Sequence, residues 1–313
     1  AQEVAPSLVP AAPSVVPGVL GPSAYEHAAR VQALMNAFTE QLATENRLPK
    51  DPRALRDLAA RILGIPPASI TADAALIDEI HDAVEGAVNR IYRERRNRAA
   101  LLEDQLARAE ATEQWLGTRI RTLELAKRQQ FSTPLTIAEA GRYALDVRPG
   151  ETVGEPTGGT GNLLAPLDPG TPTLITASDP RRAEVLRQQG YDPRMADYLR
   201  DTGFGSPWGP RPPADVIFTN PPWGKHSTRK YGKPIPMPYG QPVDVAERFF
   251  VKALTDVREG GRVVGVMPTT ILKSPKFLRW LGETHTLRAI ITNPPHSYDS
   301  RGTTVDSVLL VVD

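Results

Sequence analysis

The chain has no cysteine. Disulfides, thiolate metal sites and a cysteine nucleophile are therefore excluded, and the compartment is left open, though cytosol agrees with it. It also has almost no charge imbalance: 37 Lys and Arg face 36 Asp and Glu, for a net +1. No overall field draws it onto nucleic acid, so any basic footprint has to be local. No run is long and apolar enough to span a membrane. The amino-terminal stretch lacks the basic start and continuous apolar core of a signal peptide. A cytoplasmic protein without a membrane partner is the expectation. The chain opens with Ala1 rather than Met, as a processed chain or a fragment would.

What is present fits one large domain and a smaller one: 313 residues, 40% hydrophobic and 23% charged. Residues 1–22 carry Pro6, Pro10, Pro13, Pro17 and Pro22 among Ala, Val and Ser, the composition of an extended arm or linker. From Ser23 the pattern is helical. Ser23 and Glu26 form a capping-box pair, and Val31, Leu34, Met35, Phe38 and Leu42 follow at helical spacing. Asp51-Pro52 opens a second helix that Gly64 ends. A third helical region runs, with breaks, from near Thr71 to about Arg128, so 23–128 is expected to be a helical domain. Its Arg90, Arg93, Arg95, Arg96 and Arg98 fit a solvated helix face, the reading slightly preferred, or a phosphate-contacting patch.

After Gln130 short apolar runs alternate with helical ones, which predicts an α/β fold with a parallel sheet. The strand candidates are Thr152–Gly154, Thr173–Thr176, Val216–Thr219, Val263–Met267, Ala289–Thr292 and Ser307–Val312. The last two are close enough in sequence to form an antiparallel pair at one edge. Phe249 and Phe250 fall in a helix-like stretch and are expected in the core.

Asn220-Pro221-Pro222-Trp223 follows the apolar run Asp215–Thr219. Proline cannot donate to a sheet ladder, so the strand stops there and Asn220 is held at its carboxyl end. Ligands of open α/β sheets bind at such ends. A planar exocyclic amine is a poor nucleophile because its lone pair is delocalised. Two acceptors, the Asn220 side-chain oxygen and the Pro221 carbonyl, would favour a tetrahedral nitrogen with its lone pair aimed outward. Trp223 would hold the ring by stacking, worth roughly 1–3 kcal/mol. The tetrapeptide fits a proline-rich turn with a core Trp equally well.

A second motif decides between them. Glu155-Pro156-Thr157-Gly158-Gly159-Thr160-Gly161-Asn162 follows a strand candidate, and its glycines let backbone pass close to a ligand. It is not G-x-G-x-x-G and lacks the Lys-Ser/Thr of a phosphate loop, so a pyrophosphate is not favoured. An acidic residue leading the turn suits a cationic or hydroxyl-rich ligand. Upstream stands Gln130-Phe131-Ser132-Thr133-Pro134.

The order of these three pieces resembles the gamma-class N6-adenine DNA methyltransferases, over about residues 129–313. The distal pieces Gly260–Val264 and Gly302–Ser307 resemble most closely the methyltransferase portion of phage and plasmid proteins that join this domain to a strawberry-notch-type helicase. The resemblance implies a Rossmann-like class I methyltransferase sheet after the helical domain, with S-adenosylmethionine as cofactor and no metal. It implies that Phe131, Thr133 and Pro134 close over the methionine end. The turn Glu155, Thr157, Gly158, Gly159, Thr160, Gly161 and Asn162 would hold the cofactor, and Asp197 its adenine amine. The family's ribose acid usually stands where this chain has Ala177, with Asp179 as the substitute. A flipped adenine of DNA would enter between Asn220 and the cofactor. Lys225, Arg229, Lys230, Tyr231 and Lys233 would track the nucleic-acid strand. A helicase or target-recognition domain is the further partner implied. Asn293-Pro294-Pro295 repeats the tripeptide without the aromatic and reads as a structural turn, with Arg301 placed to approach substrate. Two alternatives stay open: a protein-glutamine or RNA methyltransferase, and a non-catalytic DNA-binding or anti-restriction module.

Overall fold

The computed structural model describes residues 22–97, 100–116, 131–200, 213–225, 237–242, 244–301 and 303–313. Its centre is a seven-stranded sheet in the order β3-β2-β1-β4-β5-β7-β6. The strands are β1 Val153–Glu155, β2 Thr173–Ala177, β3 Pro193–Met195, β4 Ala214–Thr219, β5 Val257–Pro268, β6 Leu287–Thr292 and β7 Ser307–Val312. Strands β1 to β5 run parallel; β7 inserts antiparallel between β5 and β6. The expected antiparallel pair at the edge is thus present. β7 is buried throughout, whereas β6 is largely exposed. The chain leaves β1 for β2 on one side and returns as β4 on the other. That reversal opens a crevice at the carboxyl ends of β1 and β4, where ligands of such sheets bind.

Nine α-helices are described: α1 Pro22–Glu45, α2 Pro52–Leu63, α3 Pro67–Ala72, α4 Ala74–Arg95, α5 Leu102–Glu113, α6 Leu135–Leu145, α7 Pro180–Gln188, α8 Val245–Asp256 and α9 Pro275–Thr284. Helix α2 follows its sequence signals. The Asp51 side chain accepts from Ala54 N, Pro52 opens the first turn, and Gly64 closes the helix at φ 65°. Helix α1 starts at Pro22, so Ser23 lies inside it rather than capping it. Among the described residues no helix is long and apolar enough to cross a membrane.

Two apolar clusters result. One fills both faces of the sheet. The other joins α1, α2 and α4, and it also takes in Leu135, Ala165 and Val185 from the α/β portion. The basic segment of α4 serves this junction. Arg90 and Arg93 donate to the backbone oxygens of Gln188 and Gln189 at the end of α7, where cations complement the helix dipole. Arg95 lies over the Trp115 ring, and Arg96 pairs with Glu139 and Asp168. These four guanidiniums therefore bind the protein to itself; Arg98 lies outside the described residues.

Glu139 of α6 is fully buried and accepts from Tyr92 of α4, Arg96 and Arg142. Removing one partner of such a network strands the others in low dielectric. Glu139→Ala is expected to cost about 3–5 kcal/mol of stability, read as a lower urea midpoint. A loss under 1 kcal/mol would show that the α4–α6 joint does not depend on this carboxylate.

Candidate active site

The crevice above the sheet encloses about 540 Å³, within the usual range of small-ligand sites. The turn that floors it leaves β1 at Glu155. Gly158 N donates to Thr176 O at 3.0 Å, which draws the turn onto β2. A Cβ on Gly158 would stand 2.7 Å from the Ile175 side chain, so only glycine fits. Gly161 sits at φ 89°, a conformation open to glycine.

Of the residues expected to hold a cofactor, Phe131, Thr133, Glu155, Thr157, Gly158, Gly159, Thr160, Asn162, Asp179 and Asp197 line this one crevice. Pro134 and Gly161 are not in its wall; Pro134 instead precedes the first residue of α6. Asn220, Pro221, Pro222 and Trp223 form the opposite side. Lys225 is exposed just beyond them, while Arg229, Lys230, Tyr231 and Lys233 lie outside the described residues.

Asn220 is fixed by its amide nitrogen. Nδ2 donates to Thr133 Oγ1 at 2.8 Å and stands 3.4 Å from both Phe131 O and the Tyr298 hydroxyl. Its Oδ1 is buried with no hydrogen-bond partner among the described residues. Trp223 is only 7% exposed; its Nε1 donates to Val266 O on β5, and its ring meets Tyr298 edge-on at 5.0 Å. The indole is thus part of the sheet core with a small face left to the crevice.

The carboxylates divide by environment. Burial pushes the Glu155 carboxyl up to about 8, against two hydrogen bonds from Thr157. Asp179 caps α7; burial opposes its ionisation, but the adjacent Arg181 and its hydrogen bonds outweigh that and hold it at about 2. Asp197 Oδ1 accepts from Leu199 N and Arg200 N. Beside it, Tyr198 stacks on Phe249 with ring centroids 5.9 Å apart. Behind them the Tyr198 hydroxyl donates to Asp256, which also pairs with the buried Lys252.

One sequence expectation is corrected, that for Arg301, and two hold with an added role. Phe249 and Phe250 are both buried as expected; Phe249 also lines the crevice, while Phe250 packs under Gly265. Helix geometry puts neighbours about 100° apart, which is the signal that separates them. Arg301 does not reach the crevice wall; it is 4% exposed and pairs with Glu85 and Glu113. The Asn293-Pro294-Pro295 turn is structural, with Asn293 bonded to Ser307, yet its loop delivers Tyr298 to Asn220. Nothing in the sequence marked Tyr298 or Tyr198.

No family model matches the chain, and no curated protein matches it. Solved structures do. A protein of Listeria monocytogenes, described as a class I S-adenosylmethionine-dependent methyltransferase, aligns with TM-score 0.51 and 13% identity over 92% of this chain and 88% of its own. A protein of Vibrio vulnificus, described as a modification subunit of a type I restriction enzyme, aligns with TM-score 0.49 and 14% identity over 91% and 81%. The M protein of the EcoKI type I restriction enzyme aligns with TM-score 0.44 and 18% identity over 92% of this chain and 62% of that one. The first likeness shows the fold: a Rossmann-like class I methyltransferase sheet.

S-adenosylmethionine is the cofactor expected from the motifs, and the residues present fit it. The glycine turn brings backbone to the crevice at Gly158, where a Cβ would clash, and the volume suffices. Among the described residues no cluster of His, Asp and Glu is placed to hold a metal.

Glu155 gives the site a pH signature. Its folded value of about 8 lies above the ordinary 4.5, so the folded protein binds the extra proton between those limits. The stabilising contribution is present below the ordinary value and is lost as pH rises towards 8. Denaturant titrations across that range should show Glu155→Gln gaining stability on the wild type as pH rises. A constant gap would mean the carboxyl is ionised when folded.

Proposed function

We propose that the protein transfers a methyl group from S-adenosylmethionine to N6 of adenine in DNA. The observation that carries this reading is the buried, unpartnered Oδ1 of Asn220 at the carboxyl end of β4. An unsatisfied buried acceptor costs about 1–3 kcal/mol, so a donor that enters the crevice recovers that energy. The order of Phe131–Pro134, the glycine turn and Asn220–Trp223 supports adenine over other amines. In the same reading residues 1–22 are an arm, 23–128 a helical domain and 129–313 the catalytic domain, with a helicase or target-recognition domain as partner.

Asn220 Oδ1 and the Pro221 carbonyl accept the two N6 hydrogens. The nitrogen then turns tetrahedral and its lone pair points into the crevice. The Phe131 carbonyl keeps the amide from flipping, because it can only accept, and Thr133 Oγ1 takes an Nδ2 hydrogen beside it, so the oxygen end faces the substrate. Trp223 offers its small free face to the ring. When bound, the cofactor supplies a methyl on a cationic sulfur, which becomes neutral as the nitrogen–carbon bond forms. The displaced N6 proton leaves to water, so no strong general base is required. Positioning the two reactants in contact supplies much of the acceleration. Removing the base from its stack costs a few kcal/mol, offset inside the crevice. Lys225 and the residues expected after it, Arg229, Lys230, Tyr231 and Lys233, take the strand.

The test uses labelled S-adenosylmethionine and plasmid DNA, followed by digestion to nucleosides. Wild type should yield N6-methyldeoxyadenosine. Asn220→Ala should lower the rate about 100- to 1000-fold, the cost of losing one preorganised hydrogen-bonding group, with cofactor affinity little changed. Label in RNA or protein would assign the site to those substrates. A variant as fast as wild type would remove Asn220 from the mechanism.

A further inference from the structure

One buried carboxylate close to the crevice comes from the helical layer rather than from the sheet. Glu85 on α4 is 3% exposed. It accepts from Ser132 Oγ and from Thr160 Oγ1 at 2.7 Å, and Arg301 stands behind it at 3.5 Å. Ser132 and Thr160 themselves line the crevice. They come from the two segments either side of its near end, the stretch before α6 and the glycine turn.

The direction of these bonds matters. A carboxylate only accepts, and a serine or threonine hydroxyl has one hydrogen to give. The Ser132 hydrogen goes to Glu85, and the Thr160 hydrogen lies between Glu85 and Asn162 Oδ1 at 2.8 Å, neither of which can donate, so each hydroxyl oxygen keeps lone pairs for another donor. The two hydroxyls, 3.4 Å apart, therefore form an acceptor pair backed by a negative charge. Asn89, one turn further along α4, donates to Thr160 O and Asn162 Oδ1 and holds the turn in register with this pair. Such a pair suits a primary ammonium.

We infer that Glu85, acting through Ser132 and Thr160, positions the α-ammonium of the cofactor's amino-acid arm. This rests on the reading of the crevice as an S-adenosylmethionine site. The reacting sulfur has to stand beside Asn220. The nucleoside arm fits the end built by Tyr198 and Phe249, which leaves the amino-acid arm to the end built by Ser132 and Thr160. The other crevice carboxyls hold backbone or hydroxyl groups of their own segments: Glu155 accepts from Thr157, Asp179 caps α7 through Arg181 N, and Asp197 accepts from Leu199 N and Arg200 N. Glu85 is a positioning residue, since the hydroxyls stand between it and the ligand. The helical layer thereby completes the site.

Two ligands separate this role from a purely structural one. S-adenosylhomocysteine carries the ammonium; 5′-methylthioadenosine has the same nucleoside and sulfur without it. Calorimetry with full-length protein should show Glu85→Gln and Ser132→Ala binding S-adenosylhomocysteine about tenfold or more weakly, the size of a hydrogen bond to a charged group. Affinity for methylthioadenosine should stay within about twofold, less than half the free energy of that tenfold loss. Ser132→Ala removes an acceptor without disturbing Arg301, so it tests the idea even if Glu85→Gln folds poorly. Equal weakening of both ligands, or of neither, would overturn the role of Glu85 and leave the crevice assignment standing. Wild type that binds neither ligand would overturn both.

Discussion

The orientation of one amide governs the rest. Asn220 is anchored through nitrogen to Thr133 Oγ1 and to the Phe131 carbonyl, which can only accept, so its oxygen is the atom left buried and unpartnered. Reverse the amide and the crevice would present a donor, useless for drawing hydrogens from an amine. The anchor comes from a segment 87 residues upstream and is seated by the packing of α6. Tyr298 approaches from the β6–β7 loop and Phe131 from the same upstream segment, so three contacts converge on one NH₂ group. Proline at 221 and 222 ends β4 there, which stops the strand ladder from competing for the side chain's surroundings.

That geometry depends in turn on polar groups buried between layers. Glu85, Asn89, Ser132, Thr160 and Asn162 form one connected network, and Glu139 with Tyr92, Arg96 and Arg142 forms another. Apolar packing alone would let α4 slide over the glycine turn. Fully paired polar networks in low dielectric fix a single arrangement, because any shift strands a donor or a charge. The helical layer is tied to the site by directional bonds, and the shared apolar cluster supplies the adhesion.

Much of the sheet was legible because its strands are apolar runs bounded by Gly, Pro or Asp. β2, β4, β6 and β7 begin and end within two residues of expectation. β5 starts six residues early, at Val257, through a polar, glycine-containing stretch that reads as a turn; the register shift between Ala214 and Val216 accommodates it. β3 escaped notice since it is three residues long, opens on Pro193 and exposes two of its side chains. The motif residues were legible as a set, because glycine, proline and asparagine at strand ends have local backbone reasons. Glu85, Arg301 and Tyr298 were not, for their meaning lies in partners 47 to 216 positions distant, which no local pattern encodes. The arginines of α4 show the same limit: charge spacing reveals a face, while the helix end that Arg90 and Arg93 cap belongs to another element.

Two oxygen acceptors beside a flat wall suit any planar nitrogen bearing two hydrogens, an adenine N6 or a side-chain amide alike. The chemistry at Asn220 therefore does not choose the substrate. Choice has to come from what can bring such a nitrogen past the rim. The rim beyond Trp223 is pinned where Gly224 N donates to Asp244 and Gly224 O accepts from Val245 N. That clasp holds Lys225 at the mouth. Under the proposed function Lys225 offers a polyanion a favourable charge at this rim, whereas a neutral glutamine-bearing loop gains nothing from it. In that reading the discriminating energy sits on the rim and the reactive energy inside, and the two are joined by Asp244, the capping aspartate at the start of α8.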